Sequence, residues 1–254
     1  MVTNEYIDKM QGNRQKVKLV LPKEHGTWMM FFLPYLLAVA LFGPVLLHIP
    51  FLIGWFFLFL ASTPLLNIIR NRKLKIEMMP WLVRYSIIAI IFLLPVIWLT
   101  PVLLLIGIFL IPLLIINVYF IKARNERSLW NNLSGIITFA LGGVAASILG
   151  QGDVNNAISL LIFVTFYFTG SAFYVKSLIR ERKNARFKKI SHTYHAFLLL
   201  IPFLLGNPML VFAYLPGAIK DWTTSRKKQM KPMKIGIIEI VNGIVFFIFS
   251  IIII

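Results

Sequence analysis

The residue types that can carry chemistry in this chain are gathered into four short stretches. The first is Lys23-Glu24-His25-Gly26-Thr27-Trp28. A carboxylate beside an imidazole at a helix start can serve as an acid/base pair or as two metal ligands. Equally, Glu24 can complement the helix dipole, Thr27 can cap the helix and Trp28 can anchor it at an interface. The second stretch ends in Asn67-Ile68-Ile69-Arg70. Asn67 and Arg70 are three apart, so they share a helix face suited to gripping an anionic headgroup or a phosphate. Arg70 can also simply snorkel at a helix end.

The third stretch runs from Asn117 through Tyr119, Lys122 and Arg124 to Ser128, with Glu126, Asn131 and Asn132 close by. Asn117 falls about one turn inside an apolar segment, where a polar side chain is expensive. The fourth runs from Tyr174 through Lys176, Ser177, Arg180 and Glu181 to His192-Thr193-Tyr194-His195. Tyr174, Ser177 and Glu181 lie on one helical stripe and Lys176, Arg180 and Lys183 on another. The spacing of His192 and His195 can place two ligands on one helix face, but two histidines alone do not make a metal site. Two further acids stand out, Asp221 and Glu239; the latter lies about one turn deep in an apolar segment, where a structural role is expected. There is no cysteine, which excludes disulfides, thiolate-bound metals and cysteine nucleophiles.

What positions these groups is legible from composition. Of 254 residues, 59% are hydrophobic and only 14% charged. The mean hydropathy is +0.82. A soluble domain could not cover that much apolar surface, whereas lipid is its natural solvent. The only long polar stretch is 1–26, too short to bury a core, so a separate soluble catalytic domain is excluded. The expected organisation is a cytoplasmic tail over 1–26 and one transmembrane domain over 27–254. Hydropathy predicts about nine spans: 27–46, 49–69, 81–99, 101–121, 133–150, 157–175, 193–205, 207–219 and 235–254. The seventh and eighth are short and divided by Gly206-Asn207-Pro208, so they are either two short spans or a hairpin that does not fully cross. The fifth has a small-residue face of Gly135, Gly142, Gly143, Ala145 and Ala146 that permits close helix packing. Pro34, Pro44, Pro64, Pro95 and Pro112 fall inside the expected spans.

The charges test this division. All 26 Lys and Arg residues fall in five groups: before the first span and after the second, fourth, sixth and eighth, with Arg84 just inside the third. The alternate loops carry only His48 and Asp153. This positive-inside pattern predicts an amino terminus in the cytoplasm and a carboxyl terminus outside. The net charge of +17 is then retention at an anionic leaflet and not nucleic-acid binding.

The segment Pro22-Lys23-Glu24-His25-Gly26-Thr27-Trp28, with the 122–128 run and Arg180-Glu181-Arg182, resembles the YwiC-like family of bacterial membrane proteins. That resemblance brings no activity with it, but it strengthens Glu24 and His25 as candidates. The chain is also similar, more weakly, to the UbiA-type intramembrane prenyltransferases through Tyr119, Lys122-Ala123-Arg124 and the glycines that follow. That similarity implies a nine-helix scaffold with a cytoplasmic site between the loops after helices two and six. The Asp-rich magnesium motifs of that family are absent: the corresponding places offer Asn67 and Glu181 among Arg and Lys, which repel the cation and can hold a phosphate themselves.

The expectation is therefore an all-α, polytopic, possibly UbiA-like bundle that meets membrane lipids and binds or modifies an isoprenoid or other amphipathic anion. Its polar head would lie among Asn67, Arg70, Asn117, Tyr119, Lys122, Arg124, Tyr174, Arg180 and Glu181. Any catalysis would use Glu24 and His25; no metal site and no particular cofactor is indicated. The rival readings are a small-solute transporter, from the Pro- and Gly-broken helices, and a haem or quinone protein using His25 with His192 or His195.

Overall fold

The computed structural model describes residues 19–22, 25–227 and 229–253, and among them there are helices and turns but no strand. In chain order the helices are α1 (His25–Phe42), α2 (His48–Arg70), α3 (Lys75–Leu99), α4 (Leu103–Lys122), α5 (Leu129–Leu149), α6 (Val154–Ile179), α7 (Ala185–Leu198), α8 (Ile201–Leu204), α9 (Val211–Thr223) and α10 (Pro232–Ile253). Short 3-10 turns at Arg72–Leu74 and Pro208–Leu210 precede α3 and α9. Six helices, α2 to α6 and α10, are long and apolar enough to cross a membrane. The outer faces of α3 and α4 are apolar and exposed, with Ile90, Leu94, Ile108, Phe109 and Ile115 each about 60% open, as befits a surface solvated by lipid.

Several expected boundaries move. The first helix ends at Phe42, because Gly43 takes a left-handed backbone (φ 85°) and Pro44 follows it in the connection, not inside a span. Proline interrupts the hydrogen-bond ladder, so it suits a linker better. The third helix starts at Lys75, six residues before the expected Trp81. The seventh helix begins at Ala185, eight residues before Thr193. Asn184 caps it by accepting from the backbone N–H groups of Arg186 and Phe187 at 3.0 and 3.1 Å. Its first half is strongly cationic and its inner face apolar, so hydropathy alone shows only its second half. It stops near Leu199, and α8 and the turn at Gly206 (φ 76°) lead into α9.

The packing closes a circuit: α1 lies against α5, α5 against α6, α6 against α7, α7 against α9, α9 against α10, and α10 against α1. Helices α2, α3 and α4 stack outside α5. The small-residue face of α5 makes this possible. A Cβ at Gly143 would sit 2.7 Å from the Pro34 carbonyl oxygen of α1, and one at Gly142 would collide with the Trp55 indole of α2. That indole N–H is buried and has no acceptor among the described residues. Gly135, in contrast, has open space around it, so it takes no part in the contact. Phe31, Phe59 and Phe139 fill the junction of α1, α2 and α5, with Phe31 and Phe59 stacked at 4.9 Å.

Apart from the buried Trp55 Nε1, Asn131 Oδ1, Ser147 Oγ and Thr165 Oγ1, which have no partner among the described residues, polar groups inside the bundle bond one another. Tyr35 Oη donates to the His48 carbonyl (2.7 Å), His48 Nε2 to the Ala146 carbonyl (2.8 Å), and the Val45 N–H to His48 Nδ1 (2.9 Å). Gln151 N donates to Phe42 O at 2.7 Å. These bonds gather the α1–α2 and α5–α6 connections at one end. At the opposite end Arg70, closing α2, bonds Glu126 of the α4–α5 connection, and Arg182 after α6 bonds the Lys227 carbonyl after α9. The cation-bearing connections are thus tied to one another, as are the cation-poor ones.

Gly143→Val should cost about 1–3 kcal/mol or more, because the backbone carbonyl it meets cannot rotate away, while Gly135→Ala should stabilise by up to about 1 kcal/mol, as expected for Gly to Ala inside a helix with open space. Thermal unfolding of the two variants in the same detergent checks this; equal shifts would contradict the α1–α5 contact.

Candidate functional site

The most concentrated polar chemistry lies where α6, α7, α9 and α10 meet, and its centre is Asp221. This carboxylate sits in the last turn of α9 and is fully buried. Ser191 Oγ of α7 donates to Oδ1 at 2.8 Å. Arg226, just after α9 and itself only 7% exposed, folds back to bond Oδ1 and the Asp221 carbonyl. The same guanidinium reaches Ser177 Oγ of α6 at 3.1 Å. His192 of α7 places Nδ1 at 2.5 Å from Oδ2, and His195 Nδ1 lies 3.5 Å from that oxygen while bonding the Ser191 carbonyl at 2.8 Å.

A carboxylate can only accept here, so His192 Nδ1 carries the proton toward it. Nε2 is then the ring nitrogen left over, and no described residue bonds it; the side chain is 26% exposed. A buried carboxylate that fixes a tautomer and leaves the far nitrogen at the surface is the arrangement from which imidazoles bind or exchange protons. Trp222 Nε1 donates to the His192 carbonyl at 3.2 Å and holds α7 to α9 from the other side.

A second buried pair adjoins this network. Lys220 of α9 pairs with Glu239 of α10, which also accepts from Ser171 of α6. The Lys220 ammonium stands 4.3 Å from the centre of the Tyr174 ring, and Tyr174 Oη meets Thr224 Oγ1 at 3.2 Å. Glu239 therefore has the structural part expected of it. Asn242 Nδ2 donates to Tyr167 Oη at 2.7 Å one turn further in.

The residues singled out in the sequence separate into different surroundings. Arg70 makes a two-pronged contact with Glu126 (2.8 and 2.5 Å) and also holds Asn67 Oδ1 at 2.7 Å. The hydrogen bond from Arg70 holds the Glu126 carboxyl below its ordinary range. Asn117 turns inward, bonding Ser134 Oγ of α5 at 3.0 Å and the Leu113 carbonyl; it joins α4 to α5. Tyr119 is 65% exposed, and Lys122 and Arg124, a few residues on, are exposed with no ion pair among the described residues. Tyr174 is buried within the Asp221 network. Arg180 closes α6 as its C-cap, and Glu181 accepts from Asn184 at 2.9 Å, helping to start α7. Glu24 lies outside the described residues, and His25 opens α1 with its side chain outside them. Among the described residues no three His, Asp or Glu are arranged to hold a metal ion. His48 uses both ring nitrogens internally and has no lone pair for a haem iron.

The sequence pointed to His192, His195, Asp221 and Tyr174 separately but not to their meeting. Asp221 is 29 residues from His192, and no spacing rule links them; only the turn at Gly206 returns α9 beside α7.

Asp221→Asn should destabilise the protein by about 3 kcal/mol or more, since it leaves the Arg226 charge buried without its counterion. Glu126→Gln should cost less than about 1 kcal/mol, because that pair is exposed and screened. The Glu126 carboxyl is held low in the folded protein, so its small contribution is complete above the ordinary carboxylate range, near pH 4.3, and fades as pH falls through it. Thermal unfolding of both variants near neutral pH measures the contrast; equal losses would contradict it.

Comparison with known proteins places this architecture. The model of the family described as "YwiC-like protein" matches residues 21–147, which span α1 to α5. A Bacillus subtilis (strain 168) relative, "Uncharacterized protein YwiC", is 37% identical over 232 residues, covering 91% of this chain and 96% of its own. An "Uncharacterized protein" of Haemophilus influenzae is 34% identical over 233 residues, covering 91% and 97%. No solved structure matches. Both relatives are matched over nearly their full lengths, so the likeness extends through the whole bundle, and the chain belongs to the YwiC-like family.

Proposed function

We propose that this chain is a multi-pass protein of the bacterial cytoplasmic membrane, amino terminus in the cytoplasm and carboxyl terminus outside, which binds an isoprenoid or other amphipathic anionic lipid at its cytoplasmic face. The observation that carries the reading is the end of α4. Glu126, the acid of the α4–α5 connection, is engaged by Arg70, and Lys122 and Arg124, a few residues on from the exposed Tyr119, stand exposed with no acid partner among the described residues. Exposed cations within two turns of an exposed aromatic ring, at a bilayer surface, suit an anionic head joined to an apolar chain.

Arg124 supports this. It closes α4 in the left-handed region (φ 52°), with Asn125 N bonded back to the Phe120 carbonyl. Glycine is favoured at such a helix end, and another residue costs about 1 kcal/mol there. The reading needs no Asp-rich magnesium site, since Lys and Arg meet the charge directly. Whether the wider scaffold is UbiA-like does not enter the argument. Asn67 and Arg70, the latter bonded to Glu126, are the positioning groups on the α2 side in this reading.

Orientation is testable directly, because the chain has no cysteine. Single cysteines at Ser128 and Gln151 in intact cells should react with an impermeant maleimide only at Gln151→Cys; labelling of Ser128→Cys alone would reverse the topology. For binding, the protein in phosphatidylcholine nanodiscs is titrated with farnesyl phosphate and read by native mass spectrometry. Replacing both Lys122 and Arg124 by Ala should weaken binding about tenfold or more, at about 1 kcal/mol per cation. Unchanged affinity in a folded double variant would sink the assignment.

A further inference from the structure

We infer a second, independent anion site on α7: His192, oriented by Asp221, together with Lys188 and Lys189, binds a phosphomonoester. Lys188 and Lys189 precede His192 by four and three residues, so all three occupy one stripe of the helix. Both lysines are exposed, and neither is ion-paired among the described residues. The neighbouring stripe of α7, Phe187, Ser191, His195 and Leu198, is buried against the bundle. The cationic face therefore has a fixed direction, and the Asn184 cap and the Ser191–Asp221 bond hold the helix in register.

The ligand class follows from the donors. Asp221 occupies His192 Nδ1, which leaves Nε2 open at the surface with a lysine on either side of the same stripe. Three donors suit a terminal phosphate, which offers three free oxygens and carries up to two charges; a carboxylate or a phosphodiester offers two. The proton for the imidazole can come from the ligand itself. In the monoanion the phosphate O–H bond breaks, its electron pair stays on oxygen, and an N–H bond forms at Nε2. The product is a phosphate dianion held by an imidazolium that faces the Asp221 carboxylate. The other charges around the ring do not oppose this: Arg226 is already committed to Asp221, Lys220 to Glu239, and His195 bonds the Ser191 carbonyl. Trp222, 43% exposed and bonded to the His192 carbonyl, adds an apolar surface for whatever the phosphate is attached to.

The same chemistry can come from a lipid monophosphate or from a soluble phosphate, and three probes separate them: farnesyl phosphate, farnesol and inorganic phosphate. Binding is measured with the whole protein in phosphatidylcholine nanodiscs. Native mass spectrometry should show two farnesyl phosphate binding steps; His192→Gln and the Lys188→Ala/Lys189→Ala pair should each weaken one of them about tenfold or more, as expected for losing a hydrogen bond to a charged group, and leave the step that depends on Lys122 and Arg124. Neither should change farnesol binding, and melting curves confirm that both variants fold. A merely structural role for His192 would lower both ligands together. Asp221→Asn should give the same selective loss if it folds; the two surface variants decide the matter if it does not. Competition by inorganic phosphate at equal concentration would keep the site and assign it to a soluble ligand. Full farnesyl phosphate affinity in both surface variants would overturn this site while leaving the Lys122–Arg124 reading intact. Loss only in the Lys122/Arg124 variant would do the same.

Discussion

A carboxylate with no access to solvent has to be surrounded by donors, and the wall formed by α6, α7, α9 and α10 is arranged to meet that demand around Asp221. Four groups converge on it from two segments: Ser191, His192 and His195 from α7, and Arg226 from the chain after α9. Removing water from a charge costs several kcal/mol, and only close, well-aligned partners offset it. Each partner is therefore constrained in turn. Arg226 must also be satisfied and reaches Ser177 on α6. Beside it Lys220 and Glu239 neutralise one another and draw in Ser171. The short helices α7 and α9 are held to the long ones by this network and by apolar contacts such as Tyr214 against Phe163.

The other half of the bundle is held by a different means. Where α1, α2 and α5 meet, no charge is involved; the absence of side chains at Gly142 and Gly143 lets backbones approach, and aromatic rings fill the remaining space. In lipid there is little hydrophobic gain in bringing helices together, so close packing and internal hydrogen bonds carry the association. The bonds of His48 to Val45 and Ala146 show the same economy, since both ring nitrogens are used at the cation-poor end. One histidine is closed in this way, whereas His192 keeps a nitrogen open. That difference separates a packing residue from a residue able to meet a ligand.

Charge is likewise sorted by geometry. Arg70, Glu126 and Asn67 satisfy one another, while Lys122 and Arg124 are exposed at that end along with Arg72, Lys73, Lys75 and Arg127. Asn117, which reads as a polar group awaiting a ligand, instead reaches Ser134 across the α4–α5 interface.

Much of this was set by the sequence alone. The apolar runs are too long and too many for a soluble core, so the all-helical bundle and the near-positions of the long helices could be read directly. The small-residue face of α5 was legible too, because Gly142 and Gly143 have no other use in an apolar helix. Tertiary structure decided the rest, for a consistent physical reason. Helix α7 was half hidden because its cationic stripe masks its apolar one in a hydropathy average. The meeting of His192 with Asp221 depends on the turn at Gly206 and the return of α9, a contact between residues 29 apart that no local pattern encodes. Whether a polar residue is a helix clamp, like Asn117, or is left with an open nitrogen, like His192, is settled only by which neighbour arrives first to bond it.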